Sequence, residues 1–233
     1  EDVKIGIVGT GRMATAHATA WTKLGLSVFI GSRDKARAVR LASQFGCKGG
    51  THAEMLAESN FILLCIMPGP DSVAFINSIK DQVMGKGLSF CDMSASYTRF
   101  YTDASRAPAP YKSHLMYMKD TLGDPSASWV KAWANVMSSS ISGFRRQPME
   151  VAGDTKAKET AFRMLTAAGF EPLDCGSADD AQARRAERAR ERGACGGGAT
   201  RARRERGSRF GGGERERESE RARERERAPL SPA

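Results

Sequence analysis

The feature that most constrains this chain stands at its start, where a short apolar run passes directly into a glycine turn and then into a stretch of helical periodicity. Residues 4–14 read KIGIVGTGRMA, which sets Gly9, Gly11 and Ala14 in the spacing G-x-G-x-x-A. A strand that enters a helix through so tight a turn needs a residue free to take positive φ first, and a small residue inside the helix so that helix and strand pack closely. Apolar runs then recur at 26–30, 61–66, 88–92, 130–133, 149–152 and 171–174, with helical stretches at 12–24, 34–45, 53–58, 70–83 and 154–168 between them. Such short continuous runs belong to strands covered on both faces, as in a parallel sheet wrapped by helices. Gly25, Gly46 and Gly169 each follow a helical stretch, where a left-handed cap is wanted.

The expectation is an α/β fold with a Rossmann-like, doubly wound and mostly parallel sheet, whose loops after successive strands gather on one edge. Composition limits where that fold can extend. From residue 181 onward the chain holds 16 Arg and 9 Glu with no Lys or Asp, and its only large apolar side chains are Phe210 and Leu230. A segment like this cannot bury enough apolar surface to offset the entropy of ordering it. One domain over 1–180 and a disordered Arg/Glu/Gly-rich tail over 181–233 are therefore expected. The tail carries +7 of the formal +9, so the domain is close to neutral at +2 and is not a basic protein. Nearly alternating charges over 214–227 set like charges at i,i+4, against a lone helix. The tail reads as a solvated spacer more readily than as a nucleic-acid arm.

The turn at Gly9–Gly11 is suited to an anion. A diphosphate would sit over the amides of Thr10, Gly11, Arg12 and Met13, where unpaired N–H groups and the helix dipole favour negative charge. Together with its strand and helix this reads as a dinucleotide site. Which dinucleotide is decided beyond the second strand, at Ile30-Gly31-Ser32-Arg33. An acid there would accept from ribose hydroxyls and repel a 2′-phosphate; Ser32 and Arg33 instead offer a hydroxyl and a guanidinium fork, and Arg37 adds charge. Asp34 reads as the cap of the following helix. NADP is the expected cofactor.

The chemistry beside that cofactor is sparse. The sequence shows no Tyr-x-x-x-Lys pair, no His-plus-carboxylate arrangement, no Cys-x-x-Cys and no His-Glu-x-x-His, so no catalytic residue and no metal ligand is assigned. His17, His52 and His114 read as structural or solvated residues. All four tyrosines (Tyr97, Tyr101, Tyr111 and Tyr117) follow the run that ends at Asp92, where they either cover a flat ring system or pack their own segment. Five scattered cysteines favour a reducing compartment, no apolar run reaches the ~20 residues of a membrane span, and no leader precedes the first strand, although the sequence opens at Glu1 rather than on Met. A cytoplasmic protein is expected.

With these segments in hand, the chain resembles the NADPH:deazaflavin (coenzyme F-420) oxidoreductase family. The likeness rests on residues 4–14, on IGSRDK at 30–35, on VKAWAN at 130–135, on VAGD at 151–154, and on GFEPLDCG at 169–176. It implies NADP contacts from Gly9, Thr10, Gly11, Arg12, Met13, Ser32, Arg33 and Arg37, with Ile66, Met67 and Pro68 beside the nicotinamide and Ala132 and Asn135 flanking an acceptor ring. The implied activity is hydride transfer between NADP(H) and a flavin or deazaflavin-like small-molecule acceptor, which can take its proton from solvent. The family closes its site and pairs its subunits with a further helical stretch; here the charged tail stands in that place, which leaves a homodimer and the acceptor open. The rival readings are a reductase of small carbonyls or imines, similar to pyrroline-carboxylate reductases, and an NADP-binding sensor without turnover.

Overall fold

The computed structural model describes residues 2–94, 108, 110–111, 113–134, 136, 138–141 and 147–177. Tyr97, Tyr101, Asn135 and the tail lie outside the described residues. Eight strands form one sheet: β1 (Lys4–Val8), β2 (Ser27–Gly31), β3 (Lys48–Gly50), β4 (Phe61–Leu64), β5 (Ser89–Asp92), β6 (Ser128–Lys131), β7 (Pro148–Gly153) and β8 (Glu171–Asp174). Their order is β3-β2-β1-β4-β5-β6-β7-β8. All neighbours pair parallel except β6 and β7, where Val130 faces Gly153 and Lys131 faces Ala152 in antiparallel register. This is the doubly wound, mostly parallel Rossmann sheet that the alternating pattern predicts.

Among the described residues six helices cover the two faces: α1 (Arg12–Lys23), α2 (Lys35–Ser43), α3 (His52–Glu58), α4 (Pro70–Val83), α5 (His114–Leu122) and α6 (Thr155–Ala167). Two cores separate on either side of the sheet because side chains alternate along each strand. Ile5, Ile7, Ile30, Cys91 and Val130 point to α1, α2 and α6, with Ala14, Ala18, Trp21, Ala38 and Ala161 as the helix partners. Val8, Ile62, Leu64, Phe90 and Trp129 point to α3, α4 and α5. The first helical layer is alanine-rich, which lets α1 lie close to the strands and keeps its N-terminus at the sheet edge.

Three differences from the sequence reading have local causes. β3 has no apolar side chain, and Lys48-Gly49-Gly50 looks like a turn; it is an edge strand because a Cβ on Gly49 would come within 2.5 Å of the Ala38 carbonyl, so glycine alone lets α2 pack there. α5 escapes the pattern because its apolar positions are interleaved with Tyr117, Lys119 and Asp120, yet it is capped at both ends. Ser113 accepts from the Met116 amide at 3.2 Å, and Gly123 takes the left-handed conformation. β6 begins two residues earlier than read and ends at Lys131, and Trp133 just past it adopts φ 53°, an uncommon conformation for a bulky residue.

Candidate functional site

Parallel strands carry their C-terminal ends to one edge, and four turns meet there. At the first, Gly9 has φ 106°, and its amide donates to the Gly31 carbonyl at 2.9 Å. A Cβ on Gly9 would stand 2.9 Å from the Cys65 carbonyl and 3.4 Å from Ile66 Cγ2, so the turn after β1 lies directly against the turn after β4. Gly11 is the N-cap of α1 with no side-chain hydrogen bond to the helix, and nothing lies within 4 Å of where its Cβ would be. Ala14 is fully buried, whereas Arg12 is exposed and Thr10 and Met13 are half-buried. The helix start is thus left open on its solvent side, with room for a diphosphate above the amides of Arg12 and Met13.

At the second turn the Ser32 amide donates to the Gly50 carbonyl at 3.0 Å, which fixes the exit of β2. Ser32 Oγ accepts from the Asp34 amide at 3.2 Å, and the Asp34 carboxylate accepts from the Arg37 amide at 3.0 Å. Asp34 is therefore the helix cap that the sequence suggests, and its carboxylate is directed into α2. Arg33 and Arg37 are exposed. Lys35 is tied to Glu54 at 2.5 Å, which leaves the two arginines as the freer cations at this end. The guanidinium of Arg33 stands near enough to His52 to act on it: burial first, and then the positive charge of Arg33, hold that imidazole below its ordinary value.

At the third turn, Ile66 and Pro68 are half-buried and Met67 is 58% exposed. Gly69, buried at the start of α4, closes this turn. Its amide faces Ser72 Oγ at 3.1 Å and His114 Nε2 at 3.3 Å, and Ser72 Oγ stands 2.6 Å from the same ring nitrogen. At the fourth turn Lys131 Nζ meets Asp92 Oδ2 at 2.7 Å and Ser94 Oγ at 3.0 Å, while the Ser94 hydroxyl and amide donate to Asp92 at 2.9 and 2.8 Å. Both charged side chains are below a tenth exposed. Burial pushes the Asp92 carboxyl up, but Lys131 and Ser94 outweigh it and hold it below the usual carboxylate range. Burial pushes the Cys65 and Cys91 thiols up, so neither is a thiolate nucleophile.

Sequence reasoning missed Asp92, Ser94, Lys131 and the Ser72–His114 pair. The partners stand 39 and 42 residues apart, and no local spacing joins them. The residues expected at the first three turns do gather on this edge. Ala132 is wholly buried just past β6, its amide on the Asp92 carbonyl at 3.3 Å, and Asn135 lies outside the described residues. Tyr111 and Tyr117 pack on one another at 5.0 Å between centroids, and the Tyr111 hydroxyl bonds Asp120. His17 is sealed in the core between Trp21 and Trp133, at 5.8 and 5.5 Å between ring centroids, and burial lowers its pKa to about 3. Among the described residues no group of three or more His, Cys, Asp or Glu could hold a metal ion, and no helix is long and apolar enough to cross a membrane.

This edge defines the class: a Rossmann dinucleotide-binding domain. Residues 4–88 match the model of the family described as "NADP oxidoreductase coenzyme F420-dependent", so the resemblance drawn from the sequence holds over that N-terminal part. A curated relative, metalloreductase STEAP3 of Rattus norvegicus, is 30% identical over 182 residues, which is 76% of this chain and 34% of that protein. The chain thus spans about a third of the length of the curated relative it matches. Among solved structures, a protein of Arthrobacter sp. FB24 provisionally described as an F420-dependent NADP reductase superposes with a TM-score of 0.64 at 21% identity, over 83% of this chain and 95% of that one. Imine reductase BcSIRED from Bacillus cereus BAG3X2 superposes with a TM-score of 0.62 at 16% identity, over 81% of this chain and 59% of that one. At these identities the structural likeness speaks for the fold.

Proposed function

We propose that this chain is the NADPH-binding part of an oxidoreductase that moves hydride between NADP(H) and a flavin or deazaflavin-like acceptor. The observation that carries the reading is the pairing of an open, uncapped start of α1 behind Gly9 and Gly11 with a β2 exit that presents Ser32 and Arg33 and turns its one acid, Asp34, into a helix cap. The cradle fits the cofactor, because a side chain at Gly9 would strike Cys65 while the space over Gly11 is free. When bound there, NADPH supplies the hydride.

The protein's own part is to bind and orient. Amides of Gly11, Arg12 and Met13 hold the diphosphate, and Arg33, Ser32 and Arg37 receive the 2′-phosphate. Ile66, Met67 and Pro68 give the nicotinamide an apolar wall beside the phosphate turn, which excludes water from one face and fixes ring orientation. A flavin-like acceptor, whose proton can come from solvent, needs no side-chain acid. The family matched by residues 4–88 supports this choice.

A second reading has its own observation. Reduction of a carbonyl or imine needs a proton beside the hydride, and the buried Asp92–Lys131–Ser94 cluster stands at the C-terminal edge of β5 and β6, where such a group would be placed. Steady-state oxidation of NADPH with a panel of flavins, a deazaflavin and small cyclic imines separates the two. Saturable turnover with the flavin class alone supports the first reading, and turnover with imines alone replaces it. NADPH binding with no turnover on any acceptor identifies a sensor.

A further inference from the structure

We propose that His114 is a positioning residue for the nicotinamide: through Ser72 and Gly69 it holds the turn at 66–68 in register with the phosphate turn. The inference rests on the NADPH reading above and adds to it a residue that contacts no part of the cofactor. Gly69 is where the turn meets α4, with its backbone at φ 111°, and its buried amide donates to Ser72 Oγ at 3.1 Å, with His114 Nε2 3.3 Å away. The Ser72 hydroxyl donates to the Gly69 carbonyl at 2.9 Å and its oxygen stands 2.6 Å from His114 Nε2, so with the proton on Nε2 the ring donates to Ser72 Oγ, which links it to both polar atoms of that peptide position.

The other end of the turn is fixed independently. The Cys65 amide donates to the Leu63 carbonyl at 3.1 Å, and the Cys65 carbonyl abuts Gly9. Three residues thus span from a peptide locked against the phosphate turn to a peptide locked by His114. Met67, at the crest, is the most exposed large apolar residue of the described chain. A change at Gly69 of a few tenths of an ångström alters what Met67 and Ile66 present to a ring, and leaves the 2′-phosphate end untouched.

The imidazole is suited to a fixed role. His114 is 9% exposed at the first turn of α5, its Nδ1 is buried with no hydrogen-bond partner, and burial lowers its pKa below the ordinary value. Asp92 raises that pKa and Lys131 lowers it, so the paired ions act in opposite directions and burial, the largest cause, decides. The ring is neutral at neutral pH.

Calorimetry on the full chain with two ligands tests the proposal: NADPH, and adenosine 2′,5′-bisphosphate, which lacks the nicotinamide. For His114→Phe and Ser72→Ala the dissociation constant of NADPH is expected to rise about tenfold, the loss of roughly one hydrogen bond's worth of positioning, with that of the bisphosphate within twofold of wild type. His114→Gln, which keeps a polar group near the Nε2 position, restores most of the NADPH affinity. Equal weakening of both ligands in Ser72→Ala shows a general structural defect and overturns the inference, as does unchanged NADPH binding in both variants. Wild-type protein that binds neither ligand overturns the NADPH reading itself, a result distinct from either.

Discussion

Replacing Arg33 by alanine separates the two nicotinamide dinucleotides. The guanidinium is exposed at the exit of β2, one residue beyond Ser32, and the Asp34 carboxylate beside it is engaged by the Arg37 amide rather than set against the 2′-phosphate as a competitor for the guanidinium. A charge-assisted hydrogen bond contributes about 1.5 to 3 kcal/mol, and solvent at this site favours the lower end. About 1.5 kcal/mol corresponds to a rise of roughly tenfold in the NADPH dissociation constant. NADH, with a hydroxyl in place of the phosphate, should change less than twofold. One side effect has a definite sign: Arg33 depresses the pKa of His52, so its removal lets that pKa rise toward the ordinary value, and the two proteins differ in His52 charge only near or below that value. Titration calorimetry at pH 8 therefore keeps His52 neutral in both, and raising the ionic strength should narrow the difference between wild type and variant. Equal losses for NADPH and NADH would refute the assignment of the 2′-phosphate to Arg33, and with it the reason for choosing NADP over NAD.

Gly9→Ala must take φ 106° with a Cβ 2.9 Å from the Cys65 carbonyl, so it should lower stability by about 1 to 3 kcal/mol in urea unfolding and weaken both dinucleotides alike; a variant that binds normally would mean that the turn is not held as described. Lys131→Met leaves the buried Asp92 carboxylate without its countercharge, held by Ser94, and should cost about 3 to 5 kcal/mol, while Asp92→Asn together with Lys131→Met should recover a large share, read from thermal or urea midpoints. The Asp92 carboxyl is depressed in the folded state, so its stabilisation is present above the unfolded carboxylate pKa near 4 and disappears as pH falls through the folded value; in Asp92→Asn this loss should vanish from the acid limb. His17 acts in a higher window. Its folded pKa of about 3 lies below the ordinary 6.5, so the unfolded chain binds the proton first and stability declines by roughly 1 kcal/mol per pH unit from about 6 down to about 4. His17→Leu should flatten that decline, and an unchanged slope would show that the ring is not sealed off.

What could be seen in the sequence and what could not follows from distance along the chain. Gly9, Gly11 and Ala14 act within one strand–turn–helix unit, and each does so for a reason visible at that spacing: positive φ, free approach, close packing. The same holds for Ser32, Asp34 and Arg37, where the cap is set by two hydrogen bonds between near neighbours in sequence. β3 could not be seen, because its reason is negative. Gly49 is there for what a side chain would strike on α2, and no hydrophobic pattern records the absence of a clash. The polar cluster behind the turn at 66–68 is invisible for a different cause. Asp92, Lys131, Ser72 and His114 come from β5, β6, α4 and α5; parallel pairing sets Asp92 opposite Lys131, and the contact of α4 with α5 brings Ser72 to His114. A parallel sheet brings its strands' C-terminal ends together whatever their separation in sequence, so one edge collects both the motif-borne phosphate turn and residues that no motif links. Under the proposed function, the local half of the site would carry the choice of dinucleotide, and the non-local half whatever chemistry lies beside the hydride. This is why a reading confined to the sequence finds a cofactor and no catalytic group.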